Sequence, residues 1–228
     1  MGSGARSDGE LRLVILQHFV DQGSPPSVEE LMGKFRVGRN SIEEALERLD
    51  EGRQIKLLAG THRILMVFPL SALATPYRVV MTDGRAYYGD CAWDAVAVYS
   101  MLRKPLRIES FCYHCAEPIG ISLGGSQENL SAEGAPVVYL GLPARAWWKD
   151  IVRTCSNTMV FFASAEHWQS WMTDHPEANG AAITLEQTLA ISEPIYSAKL
   201  RNDYSRPSAE QIVSTFRNAG LSGEFWSL

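Results

Sequence analysis

Long apolar runs are missing from this chain. None approaches the roughly 18–20 residues that a membrane-spanning helix needs, so a membrane is not an expected partner. Excess positive charge is missing too. Lys and Arg number 21 against 26 Asp and Glu, a formal charge of −5, which argues against a general nucleic-acid binder. The opening stretch, MGSGARSDGE, has no apolar segment of the kind a secretory signal carries and reads as a disordered tail over residues 1–9. No dinucleotide fingerprint, phosphate loop or Ser-His-Asp signature is visible, and GGSQ at 124–127 lacks a strand-to-helix context. The five histidines, His18, His62, His114, His167 and His175, fall in no metal-ligating spacing. There is no internal repeat or low-complexity segment.

Cysteine is scarce, with four in 228 residues: Cys91, Cys112, Cys115 and Cys155. Without a secretory signal they are expected in a reducing cytoplasm. There, grouped cysteines more often mean metal or catalysis than disulfides.

What is present is an ordinary globular composition, 46% hydrophobic and 21% charged, enough for one large domain or two small ones. Residues 10–23 carry apolar positions at helical spacing and end at Gly23. Ser27-x-x-Glu30 is a capping box that predicts a second helix. Ser41-x-x-Glu44 repeats it, with Ile42, Ala45, Leu46 and Leu49 on one stripe. Two short apolar runs, QIKLLAG and HRILMVFPL, follow. Three helices and a hairpin predict a winged helix-turn-helix-like part over 10–72. Its third helix carries Glu43, Glu44, Glu47, Asp50 and Glu51 against Arg39, Arg48 and Arg53. A helix entering the major groove should be basic, so protein packing is the expected role and DNA is not an expected partner.

Strands and helices then alternate through residues 73–200, and a short amphipathic helix with an aromatic tail occupies 201–228. The fold class is α+β: a three-helix winged-helix-like part, then a mixed, mainly antiparallel sheet domain with flanking helices.

The stretch YYGDCAWDAVAVY at 87–99 sets a sulfur and an acid three positions apart in an apolar helix. Asp90 is a plausible N-cap, with Cys91 the first helical residue. The helix N-terminus there favours thiolate. Asp94 shares the face of Cys91. The spacing alone is equally compatible with a buried cysteine beside a carboxylate that complements the helix dipole. Cys155, between an amphipathic helix and an apolar run, reads alone as a core or pocket-wall cysteine. Cys112 and Cys115 form a C-x-x-C with His114 between them. A zinc knuckle needs two further ligands and no second C-x-x-C exists. A thioredoxin motif should open a helix, whereas AEPIGISL reads as a hairpin. A structural or metal-relay role, with zinc a candidate ion at Cys112 and Cys115, fits best.

The order YYGDCAWD, SFCYHCAEPI, DIVRTCSNTMVFFAS, behind a helical N-terminal part, resembles the organomercurial (alkylmercury) lyase family over roughly residues 10 to 196. The resemblance implies a carbon–mercury protonolysis with no organic cofactor. Its catalytic residues would be Cys91, Asp94 and Cys155, the two thiolates holding the substrate mercury, with Cys112 structural. It also implies an organomercurial substrate, cellular thiols that release the product, and a mercuric reductase as a partner. Counting back from Phe161-Phe162 places the family's second catalytic cysteine at Ser156, so matching Cys155 takes a one-residue shift. Cys115 is additional to the family pattern.

The chemistry is coherent. Mercury is soft and prefers thiolates, and a carboxylic acid in a partly apolar pocket can supply the departing carbon with a proton. Trp93, Phe161 and Phe162 are expected to keep that pocket dry. The alternative is a non-catalytic metal-binding or transcription-regulatory protein on the same scaffold. A related enzyme acting on another carbon–metal or carbon–heteroatom bond is a third reading.

Overall fold

The computed structural model describes residues 7–124 and 130–228. Ser7 caps the first helix, α1 (Asp8–Gln22), through the backbone N–H of Glu10, so helix begins inside the expected 1–9 tail. Gly23 ends it in the left-handed conformation, as glycine allows. α2 (Val28–Phe35) starts on the Ser27/Glu30 capping box. α3 (Arg39–Glu51) starts at Gly38, without a side-chain cap. Ser41 is therefore inside the helix and the second expected box does not form. Ile42, Ala45, Leu46 and Leu49 nevertheless form its buried face, because the 3.6-residue period is indifferent to which residue caps.

β1 (Lys56–Leu57), β2 (Ile64–Val67) and β3 (Leu70–Ser71) make a small sheet. Arg39 pairs with Glu29 and Glu43, and Arg48 with Asp8, so these cations of α3 are matched within the chain.

Residues after Ser71 build two more sheets among the described strands. One runs β5 (Ala86–Tyr88), β4 (Arg78–Met81), β6 (Leu106–Phe111), β7 (Pro118–Leu123), β8 (Leu130–Ala132). The other runs β10 (Met159–Phe162), β9 (Val137–Leu140), β11 (Ala181–Thr184). Every pairing among these strands is antiparallel. The stretch 124–127 falls largely outside the described residues.

The helix α4 (Ala92–Leu102) is the centre of the molecule. Most of its side chains are buried, around its whole circumference, as for a helix enclosed on all sides. It packs on α7 (Leu185–Tyr196) and faces β10. The indole of Trp93 donates to Ser192 Oγ at 2.8 Å. α5 (Ile151–Thr158) and α6 (Ala165–Asp174) flank β10, and α8 (Ala209–Asn218) closes on α7. No described helix is long and apolar enough to cross a membrane.

The N-terminal helices are sewn onto this body. Buried Arg12 donates to the carbonyls of Lys199 and Arg201 at 2.5 and 2.9 Å, and Tyr87 donates to the Val20 carbonyl at 2.6 Å.

The turn from β5 into α4 is tight. A Cβ on Gly89 would lie 2.6 Å from the Ala95 nitrogen and 2.8 Å from its Cα. Those are backbone atoms of the first turn, which cannot swing aside. Gly89→Ala is therefore expected to cost about 1–3 kcal/mol, the range for overpacking a core, read as a lower urea midpoint with an unchanged slope.

Candidate active site

Cys91 is the N-cap of α4. Its backbone is extended (φ −152°, ψ −179°) and its sulfur accepts from the Asp94 backbone N–H at 3.3 Å. Asp90, expected in that role, lies one residue earlier. Sulfur can fill the cap because the N3 amide needs only an acceptor at the right place. The same turn sets Asp94 Oδ2 3.1 Å from Cys91 Sγ, with the thiol as donor.

Cys155 arrives from α5. The Asp150 carboxylate caps that helix at the Arg153 N–H, and Thr154 Oγ1 ties it to the carbonyls of Trp147 and Asp150. This turns Cys155 inward, 3.9 Å from the same Asp94 oxygen. The two sulfurs and the carboxylate lie within 4.8 Å of one another, all buried. Ser156 faces out and donates to the Val152 carbonyl at 2.6 Å. Met159, the first residue of β10, brings its sulfur to 3.7 Å from Cys91 Sγ.

Three further groups complete the site. Tyr196, at the end of α7, donates to Asp94 Oδ1 at 2.7 Å. Lys199 is buried, donates to the Phe68 carbonyl at 2.9 Å, and has the Tyr196 ring 5.1 Å away. Asp90 is buried with neither carboxyl oxygen in good hydrogen-bond geometry. Asp90 is marked in sequence only as a candidate N-cap, and the other two carry no sequence signal. Asp90 adjoins the Cys91 motif, but Tyr196 and Lys199 stand 102 and more positions from Asp94, at and just beyond the end of α7.

Burial dominates the electrostatics. It pushes the Cys91 thiol well above its usual range, and hydrogen bonding to Cys155 and the charge of Asp94 add to that. The expected bias toward thiolate is thus reversed. The helix N-terminus works through one backbone N–H, and desolvation of the buried sulfur outweighs it. Hydrogen bonding from Cys91 draws Cys155 down, but burial and the carboxylates of Asp94 and Asp90 leave it at about 11. Burial also raises Asp94, restrained by hydrogen bonds from Tyr196 and Cys91 and by the Lys199 charge. Burial brings Lys199 down to about 7 against the pull of Asp94. Asp90 is raised well above the carboxylate range by burial and by Asp94. Both cysteines therefore rest as thiols beside an acid able to take a proton.

A cavity of about 480 Å³ reaches this group, with Asp94, Cys155 and Met159 in its wall and Trp93, Trp147 and Phe68 as its apolar sides. Cys91 is not among its lining residues. Arg53 and Arg206 lie over the Trp148 ring in the same cavity. Phe161 and Phe162, expected to dry the pocket, are not in its wall. β10 is buried throughout, and its phenylalanines pack on Tyr77, Tyr113, Tyr139 and Trp171.

Cys112 and Cys115 form a separate cluster with Glu117 and His167. The two ligands that a C-x-x-C site lacks in sequence are thus present in space. His167 falls in no sequence spacing because it comes from another element, 52 positions beyond Cys115.

The alkylmercury lyase family model matches residues 70–197, more than half of the chain. An alkylmercury lyase of Streptomyces lividans is 23% identical over 208 residues, covering 89% of each chain. One of Bacillus cereus is 24% identical over 140 residues, covering 61% of this chain and 60% of that one. Among solved structures, the mercury-bound form of MerB2 matches with a TM-score of 0.63 at 19% identity, covering 87% of this chain and 100% of that one. At that identity the match speaks for the fold.

Proposed function

We propose that this chain, which belongs to the alkylmercury lyase family, splits the carbon–mercury bond of an organomercurial by protonolysis, with Cys155 and Cys91 as mercury ligands and Asp94 as proton carrier. The observation that supports it most directly is one carboxylate oxygen within 3.1 Å of one sulfur and 3.9 Å of the other, at the wall of a largely apolar cavity.

The steps follow from the resting state. The organomercurial enters as a complex with a carrier thiol. Cys155, which lines the cavity, exchanges with that carrier, and the carrier leaves with the cysteine's proton. Cys91 then passes its proton to the Asp94 carboxylate along the existing hydrogen bond as its sulfur joins mercury. Two thiolates raise the electron density on mercury and weaken its bond to carbon. Asp94 gives the proton to carbon, the carbon–mercury electron pair becomes the carbon–hydrogen bond, and the hydrocarbon departs. Mercury(II) remains on two sulfurs until two free thiols replace them and return two protons. Mercury stays at the +2 oxidation state throughout and Asp94 ends as the carboxylate it began as, so the cycle balances without an oxidant or reductant. The apolar sides suit an organic group, and desolvation keeps the acid protonated until carbon takes the proton.

The test is release of benzene from phenylmercury in excess thiol. Tight binding of phenylmercury without benzene would leave a metal-binding protein on the lyase scaffold instead.

Tyr196→Phe checks the acid. The phenol favours the ionised carboxylate, so its loss raises the Asp94 pKa further. An acid with a raised pKa stays protonated to higher pH, and the alkaline limb of the release profile is expected to move upward. Asp90, Lys199, Cys91 and Cys155 also face Asp94, so the shift is read against the wild type under identical thiol. An unmoved limb would remove Tyr196 from control of the proton.

A further inference from the structure

The cluster of Cys112, Cys115, Glu117 and His167 has no part in the chemistry above, and its geometry is specific. Cys112 follows β6 and Glu117 precedes β7. Between them the chain folds into a knuckle, closed by Ala116 N–H to the Cys112 carbonyl and Cys112 N–H to the Glu117 carbonyl, both 2.8 Å, with Ala116 at φ 61°. His167 comes from the first turn of α6, whose N-cap is Ser164. Its Nδ1 lies 3.5 Å from Cys112 Sγ, 3.5 Å from Cys115 Sγ and 3.2 Å from Glu117 Oε1.

One ring nitrogen carries at most one proton. It cannot satisfy two sulfurs and a carboxylate together, and three electron-rich atoms converging on one nitrogen call for a cation among them. The distances fit one ion. With zinc–sulfur bonds of about 2.3 Å and zinc–nitrogen or zinc–oxygen bonds of about 2.0–2.1 Å, a tetrahedron has sulfur–nitrogen edges of about 3.5 Å and nitrogen–oxygen edges of about 3.3 Å.

The surroundings agree. Burial pushes the Cys112 thiol up, but the backbone N–H groups of Ala163, Cys115 and His114, together with His167, bring it below the usual thiol range. Cys115 ends above that range beside Cys112, although the Glu117 N–H draws it down. Cys115 and Glu117 are exposed, which leaves an entry path for an ion.

We propose that Cys112, Cys115, Glu117 and His167 form a tetrahedral zinc site that pins the β6–β7 turn to the start of α6. Two thiolates, an imidazole and a carboxylate suit this borderline-soft ion. The same turn hydrogen-bonds to β10 through Tyr113 N–H and the Phe161 carbonyl, so the ion steadies the strand that also carries Met159 into the cavity. The assignment stands whether or not the cavity cleaves carbon–mercury bonds.

The full chain, purified under reductant, is titrated with zinc, desalted and assayed for metal by plasma emission. Cobalt(II) is used in parallel to reveal thiolate charge-transfer absorption. The expected result is about one zinc per chain, kept in Cys91→Ser and falling below about one-tenth of that occupancy in Cys115→Ser and His167→Ala. Cys115 is exposed, so its serine variant keeps the fold, which far-UV circular dichroism verifies. A chelator should lower the melting temperature of the wild type and leave that of Cys115→Ser unchanged. Substoichiometric zinc in the wild type would overturn the site. So would retention of zinc by Cys115→Ser with its loss from Cys91→Ser.

Discussion

Asp94→Asn is expected to bind phenylmercury as the wild type does and to release benzene about 10²–10⁴-fold more slowly, the contribution of a positioned general acid. The amide matches the carboxyl in size, so the contact with Tyr196 Oη and the packing of α4 survive. It cannot accept the Cys91 proton and pass it on. The variant should therefore stall with mercury held and carbon still attached, and mercury content after desalting separates that outcome from lost binding. Asp90→Asn is the control. Asp90 is equally buried, but no sulfur among the described residues hydrogen-bonds to it, and its loss is expected to matter far less. Release by Asp94→Asn within about threefold of wild type would mean that another group supplies the proton.

Cys155→Ala and Ser156→Ala should part company more sharply than any other neighbouring pair. Cys155 stands in the cavity wall beside Asp94, whereas Ser156 is exposed and bonded to its own helix. Losing a group that merely supports a metal ligand costs about 10–100-fold. Losing the thiolate that first takes mercury should cost more than about 100-fold in kcat/KM, and Ser156→Ala should lie within about twofold of wild type. Cys91→Ala should differ from both. It leaves Cys155 able to capture the organomercurial but removes the second ligand and the proton, so a stoichiometric adduct without hydrocarbon is expected. Equal activity of Cys155→Ala and the wild type would sink the two-sulfur mechanism.

The parts of the site that were legible in sequence are the local ones. Cys91 and Asp94 share a face because three residues span most of a helical turn whatever the helix packs against. The same holds for the buried stripe of α3 and for the turn that joins Cys112 to Cys115, since each depends on neighbours along the chain. Cap positions are not local in that sense. Asp90 and Cys91 are both able acceptors, and only the path of the strand into α4, tight enough to need Gly89, placed sulfur rather than carboxylate at the helix end.

The sequence by itself thus determined the helical and extended segments and an acid near a sulfur, because period and turn chemistry are properties of a few consecutive residues. Tertiary structure alone decided that Cys155 and not Ser156 turns toward Asp94, that Tyr196 and Lys199 attend it, and that His167 joins the C-x-x-C from another helix. It also reversed the protonation of Cys91. The free energy of a charge depends on what has displaced water from around it, and that is set by side chains scores of residues away.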